Sequence, residues 1–244
     1  MLEIKNLYAK TNDDSKEILK DFNIKIDDGS IHVIMGPNGV GKSTLSKVIL
    51  NSNKYNKYKG SIIFNNEDIT NLKTDEIARK GIFLSNQLPC EIDGVTTSDF
   101  LRTALKEKEE VSLMQFINKI TNASKDLKMD ESMIHRSLNK GFSGGEKKKN
   151  EILQLKVLEP SFIILDEIDS GLDVDSLKIV CENINEYKNS HKDTSILIIT
   201  HYPKILEYIK PDFVHVMKDG KIVSTGNADL ALKIEKEGYE NYTC

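Results

Sequence analysis

A short apolar strand that runs directly into a glycine-rich loop constrains the fold of this chain most. The strand is a nearly continuous apolar run, typical of a buried strand, and consists of Ile31, His32, Val33, Ile34 and Met35. The loop consists of Gly36, Pro37, Asn38, Gly39, Val40, Gly41, Lys42 and Ser43. A helix is expected to follow through about Leu50. Strand, loop and helix in this order predict an α/β fold in which backbone N–H groups and a helix N-terminus surround a phosphate.

The loop carries the groups that hold a nucleoside triphosphate. Its three glycines let the backbone close around phosphate with N–H groups pointing inward. Lys42 supplies a positive charge to the outer phosphates, and the Ser43 hydroxyl can ligate Mg²⁺. The loop, with Thr44 directly after it, is therefore expected to bind a nucleotide together with Mg²⁺.

A second apolar strand, residues 162–165, ends in two adjacent carboxylates, Asp166 and Glu167. Two such neighbours would repel each other unless each had its own task. Asp166 can hold Mg²⁺ through water. Glu167 is expected to point the other way along the strand, where it can polarise an attacking water as general base. The pair alone also fits an exposed turn, but together with the loop it indicates nucleotide hydrolysis.

Three further side chains can complete this site, and each has an ordinary structural alternative. Gln87 follows a predicted strand and can reach Mg²⁺ or the attacking water, yet it also fits a plain loop residue. His201 follows a buried strand and can bind the γ-phosphate, yet a histidine at a strand end is often structural. Tyr8 can stack on adenine or simply pack within its sheet.

A second glycine-rich segment opens another predicted helix and consists of Phe142, Ser143, Gly144, Gly145 and Glu146. Such a helix start can bind an anion, although a plain serine cap is the alternative. Because one domain does not need two triphosphate sites, we expect two copies to pair head to tail, with each Ser143 segment closing the other copy's loop. Asp173 can carry contacts across that interface.

Three lysines, Lys147, Lys148 and Lys149, follow the second segment. One of them is expected to pair with Glu167 in the open monomer and so lower basal turnover. A solvated basic helix face is the alternative.

The N-terminal part of the chain is expected to be mainly β-structure. Residues 1–35 are expected to form an antiparallel β-layer. A lysine-rich loop is expected at residues 53–59, before strands near residues 61–64 and 82–84.

One domain with two lobes is expected over residues 1–244. Residues 88–159 show helical spacing and no strand-like run, so a helical subdomain is predicted there. Residues 1–87 and 160–244 form the predicted catalytic α/β lobe. Its later part should contain a helix near 174–189, a hairpin across 218–220 and a closing helix from Asn227 to Gly238.

The composition argues against a nucleic-acid partner, a membrane span and a local metal site. The net charge of −4 gives no argument for a nucleic-acid partner. No apolar run reaches the roughly 18 residues that suggest a membrane span, so no direct membrane insertion is expected. Cys90, Cys181 and Cys244 are far apart, which argues against a local zinc or cluster site and fits a reducing compartment. We expect a cytoplasmic protein, or one of an organelle stroma if a transit peptide has been removed.

In combination these motifs resemble the ATP-binding-cassette (ABC) ATPases over essentially the whole chain. Residues 36–43 match the Walker A motif and residues 162–167 the Walker B motif, while Gln87 matches the Q-loop, residues 142–146 the signature, Asp173 the D-loop and His201 the H-loop. The resemblance implies a P-loop, RecA-like core with an antiparallel β-layer, a helical subdomain, and hydrolysis of ATP to ADP and phosphate.

A narrower resemblance is to the ATPase subunits of the SUF iron–sulfur cluster assembly system, the SufC family. It rests on residues 142–154, 165–173, 91–95, 208–212 and 237–239 and on Thr200, His201 and Tyr202. Transporter cassettes usually have Leu-Ser-Gly-Gly-Gln at the signature, from which Phe142 and Glu146 depart. Lys149 stands where SufC often has Arg, and Tyr8 where it often has His.

This narrower resemblance implies a scaffold of SufB and SufD with one ATPase on each, and ATP-driven closure of two ATPase copies. The ATP-binding subunit of a membrane ABC transporter is one alternative, and it would need separate membrane subunits. A nucleotide-responsive scaffold with negligible turnover is another, against which Lys42, Asp166, Glu167 and His201 argue.

Overall fold

The computed structural model describes residues 1–13, 16–108, 110–201 and 203–242, so Tyr202 and Cys244 lie outside the described residues. Within these ranges the strands are β1 (Leu2–Thr11), β2 (Glu17–Ile26), β3 (Ile31–Met35), β4 (Tyr55–Phe64), β5 (Glu67–Asp68), β6 (Ile82–Ser85), β7 (Ile92–Thr96), β8 (Ser137–Leu138), β9 (Phe162–Asp166), β10 (Ser195–Ile199), β11 (Phe213–Lys218) and β12 (Lys221–Gly226). The α-helices are α1 (Lys42–Ile49), α2 (Thr74–Arg79), α3 (Thr97–Lys106), α4 (Leu113–Asp126), α5 (Gly144–Leu158), α6 (Val174–Ser190) and α7 (Ala228–Glu237). No helix in the described ranges has the length and apolar composition that crossing a lipid bilayer requires.

The chain divides into two compact units. The first comprises Met1–Leu84, Ser161–Glu167 and Asp193–Cys244, and the second comprises Ser85–Pro160 and Ile168–Lys192, each as far as it is described. The predicted helical subdomain, residues 88–159, differs from the second unit chiefly because α6 groups with the helices. Lys156 of α5 donates to Asn183 of α6 at 2.8 Å, and the Tyr187 hydroxyl of α6 donates to the carbonyl of Pro160 at 2.8 Å.

The first unit contains the predicted antiparallel layer as a sheet of order β2-β1-β4-β5. In its register, Ile4 of β1 lies opposite Ile24 of β2 and Ile62 of β4, and all three side chains are buried. The expected loop at residues 53–59 is wrong, because β4 begins at Tyr55. Pairing of Tyr55 with Thr11 of β1 makes this lysine-rich segment a strand despite its exposed polar residues.

The second sheet of the first unit has the order β12-β11-β3-β10-β9-β6 and is built around parallel strands. β3 pairs in parallel with β10 and β11, and β10 pairs in parallel with β9. The prediction that residues 1–35 form one antiparallel layer is therefore wrong for β3. All five residues of β3 are buried, which suits the centre of a parallel sheet rather than a half-exposed layer.

Parallel alignment places the ends of β3 and β9 at the same edge of this sheet. The loop that begins at Gly36 and the carboxylate of Asp166 therefore leave the sheet on the same side, where α/β folds bind ligands. The predicted α1, the hairpin of β11 and β12, and α7 between Asn227 and Gly238 are confirmed.

The second unit contains α3, α4, α5 and α6 and a small antiparallel sheet of β7 and β8. The side chains that cap these helices, each by accepting a backbone N–H, are Thr96, Ser112, Ser143 and Asp173. The expectation of no strand in residues 88–159 is wrong, because β7 pairs with β8 through Ile92 and Leu138. β7 contains an exposed aspartate and glycine and is not recognisable by apolar alternation.

Two buried histidines join β3, the strand that carries the loop, to β11. His32 Nδ1 lies 2.9 Å from His215 Nε2, and His215 Nδ1 lies 2.9 Å from the Thr225 hydroxyl. The two rings are 3% and 6% exposed. Burial lowers the pKa of His32 and lowers the pKa of His215 to about 4, so both rings are neutral in the folded protein at pH 7.

We predict that acid destabilises the fold through this pair. Unfolded histidines titrate near 6.5, so below that pH the unfolded chain binds protons that folded His215 takes up only near pH 4. The stabilising contribution of neutral His215 should therefore be fully present above pH 6.5. The free energy of unfolding should fall by up to about 3 kcal/mol as the pH drops toward 4. Urea unfolding between pH 7.5 and 4.5 measures this.

The matched variants are His215→Asn and His191→Asn, the second at a histidine near the end of α6. His215→Asn should flatten the pH dependence, whereas His191→Asn should retain it. Equal pH dependence in His215→Asn and the unaltered chain would contradict the prediction.

Candidate nucleotide site

Glycine is required where the loop leaves β3. A Cβ atom at Gly36 would lie 2.2 Å from the carbonyl oxygen of Met217, so no other residue fits without moving the backbone. Gly41, which caps α1, has φ of 106°, and a Cβ there would lie 2.9 Å from the Ile18 side chain. At the tip, Asn38 and Gly39 are exposed, so the loop is open to a ligand.

The Lys42 side chain folds back over this loop. Its Nζ donates to the carbonyl oxygens of Gly36 at 2.7 Å and Pro37 at 2.9 Å, and the residue is 5% exposed. Burial lowers the pKa of Lys42, while the charges of Glu167 and Asp166 oppose that shift. The ammonium is thus held beside the loop, where an anion bound by the loop would meet it.

The Asp166 carboxylate contacts the first turns of α1. Its Oδ1 accepts from the Ser43 hydroxyl at 3.0 Å, and its Oδ2 accepts from the Ser46 hydroxyl at 2.8 Å. Asp166 is 2% exposed, and burial raises its pKa. A hydroxyl and a carboxylate are hard oxygen ligands of the type that Mg²⁺ prefers, so Ser43 and Asp166 can hold this ion together.

Ser46 is a site residue that the sequence analysis missed. Its side chain is completely buried, and its hydroxyl donates to one of the two oxygens of Asp166. The available signal was its spacing: Ser46 follows Ser43 by one turn of α1 and so lies on the same face of the helix.

Glu167 does not lie on the strand as expected. β9 ends at Asp166, and Glu167 has φ of 49°, a left-handed conformation that is unusual for a residue with a side chain. Its N–H donates to the carbonyl of Ile199 at 2.8 Å. Glu167 therefore lies in a bend after the strand and not in strand alternation with Asp166, and its Oε1 lies 3.2 Å from Nδ1 of His201.

Tyr8 lies in β1 of the same unit and is half-buried. The centroid of its ring is 5.8 Å from that of Tyr58, and the Lys59 ammonium lies 4.8 Å from the Tyr8 centroid. Both neighbours belong to β4. The proposed stacking of Tyr8 on adenine stays a prediction.

The second unit carries the other predicted site residues. Ser143 is exposed and caps α5, with its Oγ accepting from the N–H of Glu146 at 3.3 Å and its own N–H donating to Glu146 Oε2 at 2.7 Å. These bonds lower the pKa of Glu146. Gly144 is exposed, and a Cβ at Gly145 would lie 3.1 Å from the Ser176 hydroxyl.

Gln87 and Asp173 also belong to the second unit. Gln87 is exposed in the bend after β6. Asp173 caps α6 by accepting from the N–H of Ser176 at 2.7 Å, which lowers the pKa of Asp173. The roles of these residues at a nucleotide, like those of Ser143, Gly144 and Gly145, stay predictions.

Two of the lysines after Ser143 pair with glutamates of the second unit. Lys147 lies 2.6 Å from Glu91, and Lys148 lies 3.1 Å from Glu151. Lys147 and Lys148 thus have partners within the second unit, and the expected pairing of one of the three lysines with Glu167 stays a prediction.

Metal-cluster ligands are not grouped in the described residues, which contain no group of three or more His, Cys, Asp and Glu side chains suited to a metal ion. Cys90 is exposed and Cys181 is buried, and burial raises the pKa of Cys181 to about 12.

Comparison with known proteins shows the family and the fold of the chain. The sequence profile described as "ABC transporter" matches residues 19–170, which is more than half of the chain. The chain belongs to the ABC transporter family of ATP-binding cassettes. Its fold is the mixed α/β fold of these cassettes: the structure has a TM-score of 0.80 with a dimeric cassette, MJ0796, at 22% identity, covering 93% of this chain and 99% of that one. A nucleotide-free ABC transporter cassette gives a TM-score of 0.76 at 26% identity, with 96% and 93% covered.

Curated relatives match this cassette over nearly its full length. "Vegetative protein 296" of Bacillus subtilis is 50% identical over 243 residues, which cover 98% of this chain and 92% of the relative. "Probable ABC transporter ATP-binding protein SpyM3_0208" of Streptococcus pyogenes is 49% identical, with 98% and 93% covered. "Probable ATP-dependent transporter ycf16" of Trieres chinensis is 49% identical, with 98% and 96% covered.

We predict that Ser46→Ala weakens the fold at this site. The substitution removes a buried donor from the Asp166 carboxylate, which should lower the free energy of unfolding by about 1–3 kcal/mol. Ser52→Ala, at a half-buried serine just beyond α1, is the control and should change it by less than about 0.5 kcal/mol. Urea unfolding of both variants is the measurement, and equal stability of the two would contradict the role given to Ser46.

Proposed function

We propose that this cassette is the ATP-hydrolysing subunit of an iron–sulfur cluster assembly complex of the SUF type, working on a SufB–SufD scaffold in the cytoplasm or an organelle stroma. The observation that carries the proposal is the signature segment, where Phe142 and Glu146 replace the leucine and glutamine usual in transporters. Both have a structural task. Phe142 is buried with the Arg136 guanidinium 4.9 Å from its ring centroid, and Glu146 completes the cap of α5.

The proposed chemistry uses the groups that the first unit brings together. The loop from Gly36 to Thr44 holds the phosphates of ATP, and Lys42 leaves its loop carbonyls to bind them. Ser43 and Asp166 hold Mg²⁺, with Gln87 as a further ligand, and the ion offsets phosphate charge.

Glu167 is the proposed general base for the attacking water. Its contact with His201 keeps the carboxylate in place, and His201 also binds the γ-phosphate. Tyr8 stacks on the adenine. The residues proposed to bind phosphate, Mg²⁺, water and adenine within one copy all belong to the first unit, except Gln87, which belongs to the second.

Closure of two copies is the proposed way in which ATP does work. Ser143, Gly144 and Gly145 of one copy cover the nucleotide in the loop of the other, with Asp173 at the interface. The exposure of Ser143 and Gly144 supports this, because an exposed helix N-terminus can bind an outside anion. A cassette of the same fold is described as dimeric, and another structure of it holds ADP and phosphate after hydrolysis.

The proposed scaffold contact is an apolar surface on the second unit. Leu88 is 85% exposed and Val95 is 37% exposed, while Ile92 and Phe100 are half-buried. Leu88 directly follows Gln87, so a partner bound there would contact the segment that is expected to sense ATP. Exposed apolar side chains of this kind are common at protein interfaces.

A second candidate is the ATP-binding subunit of a membrane transporter. It is favoured by the names of two relatives, a "Probable ABC transporter ATP-binding protein" and a "Probable ATP-dependent transporter". It predicts that the native protein purifies with a membrane permease and remains with membranes at high salt.

We predict that Glu167→Gln binds ATP but hydrolyses it at least about a hundredfold more slowly, because an amide cannot accept the proton of the attacking water. It should also accumulate ATP-bound dimers, since one negative charge near the γ-phosphate is lost. Single-turnover hydrolysis and light scattering measure the two effects. Glu207→Gln, at an exposed glutamate of the same unit, is the control, and near-normal turnover in Glu167→Gln would refute its assignment as base.

The test of the SUF assignment is titration of the purified chain with purified SufB–SufD scaffold. We expect binding and a rise in ATP turnover. Leu88→Asp should weaken scaffold binding by about 1–3 kcal/mol and leave ATP affinity unchanged, because Leu88 is exposed and outside the phosphate loop. No binding by the unaltered chain, together with a permease recovered from membranes, would replace this proposal with the transporter subunit.

A further inference from the structure

Residues 85–91, which we name the Gln87 segment, are bound to α5 on both sides of Gln87. Side chains of α5 make these attachments. Glu151 holds the chain just before Gln87, and Asn150 holds the chain after it through one intermediary. All of these residues belong to the second unit.

Glu151 and Lys148 together bind both backbone polar groups of Asn86. Its Oε1 accepts from the Asn86 N–H at 2.8 Å, and its Oε2 accepts from the Ser85 hydroxyl at 2.7 Å. Oε2 also accepts from the Lys148 ammonium at 3.1 Å, and that ammonium donates to the carbonyl oxygen of Asn86. The residue immediately before Gln87 is therefore held by one ion pair of α5.

Asn150 fixes the other side. Its Nδ2 donates to Asn139 Oδ1 at 2.8 Å, and Asn139 Nδ2 donates to the carbonyl oxygen of Cys90 at 2.8 Å. Both asparagines are buried, so water does not compete for these bonds. A third contact joins the exposed Glu91 to Lys147 at 2.6 Å. Gln87 is exposed between these attachments.

Stability alone does not account for an ion pair at this place. The Lys148 and Glu151 side chains are 4% and 6% exposed. A buried ion pair is often no more stabilising than well-packed apolar side chains of similar volume. Apolar side chains would fill the space but could not bind the backbone of Asn86. The pair supplies what packing lacks, which is a fixed position for the residue that precedes Gln87.

We propose that Glu151 is a positioning residue that makes the Gln87 segment and the Ser143 end of α5 move as one body. The inference rests on the proposed function, in which Gln87 contacts the nucleotide of its own chain and Ser143 contacts that of the second copy. Glu151 lies about two helical turns from Ser143, so the rigid helix transmits its position. The state of one nucleotide is thereby passed to the surface that closes the other.

Glu151→Gln is the direct test, because an amide keeps the volume but cannot accept from all three donors. Hydrogen exchange of the amides of residues 86–88 and 90 should become at least about tenfold faster. The kcat of the isolated chain should fall at least about fivefold, with ATP affinity within about twofold of normal, since the phosphate loop is untouched. Glu159→Gln makes the same change at the far end of α5, where Glu159 pairs with Lys119 at 3.0 Å, and should leave all three unchanged.

A double variant separates positioning from packing. Lys148→Met with Glu151→Leu replaces the ion pair by apolar side chains. We expect it to fold with normal stability, while exchange at residues 86–88 and 90 stays as fast, and kcat as low, as in Glu151→Gln. Recovery of normal kcat together with stability would overturn the proposal, as would unchanged exchange in Glu151→Gln. These measurements need only the chain and ATP, so they remain decisive if the scaffold assignment fails.

Discussion

The buried carboxylate of Asp166 is the contact on which the first unit depends. It ends a strand in which every residue is buried, and it accepts hydrogen bonds from two serines of the helix that follows the glycine-rich loop. Burial raises the pKa of this carboxyl, so the fold by itself disfavours its charge. The two hydroxyl donors offset part of that desolvation and, in doing so, bind α1 to the sheet. Loop, helix and strand end are thus joined by the same group that is proposed to hold Mg²⁺.

How much of this could be predicted depends on whether a segment carries its own signal. β3, β9 and β10 are apolar throughout, and their buried character is visible in the sequence. The first part of β4, residues 55–60, and β7 are strands because a partner strand pairs with them, and neither segment shows this locally. Because the sequence predicts a loop at residues 53–59, it also does not indicate that Tyr58 and Lys59 are neighbours of Tyr8.

The same distinction holds in the site. Gly36, Lys42 and Ser43 are predictable because their order along the chain is itself the chemical requirement. The bend at Glu167 is not, because the apolar run does not show that the strand ends at Asp166 or that Glu167 has a left-handed backbone. Ser46 and Asn139 act through partners distant in sequence. Helical spacing places Ser46 on the same face of α1 as Ser43, but no local pattern shows that Ser46 binds Asp166 or that Asn139 binds the carbonyl of Cys90.

The charges of the first unit favour joint arrival of nucleotide and cation. Lys42 is the buried ammonium beside two buried carboxylates, Asp166 and Glu167, whose charges act on it. A triphosphate brings several further negative charges, which one ammonium cannot balance in a site of reduced dielectric. Under the proposed function, Mg²⁺ at Ser43 and Asp166 offsets this excess and lets Asp166 remain ionised despite its burial. In the proposed function, Glu167 lies in the bend after β9, close to His201, and acts on water while Asp166 holds the ion.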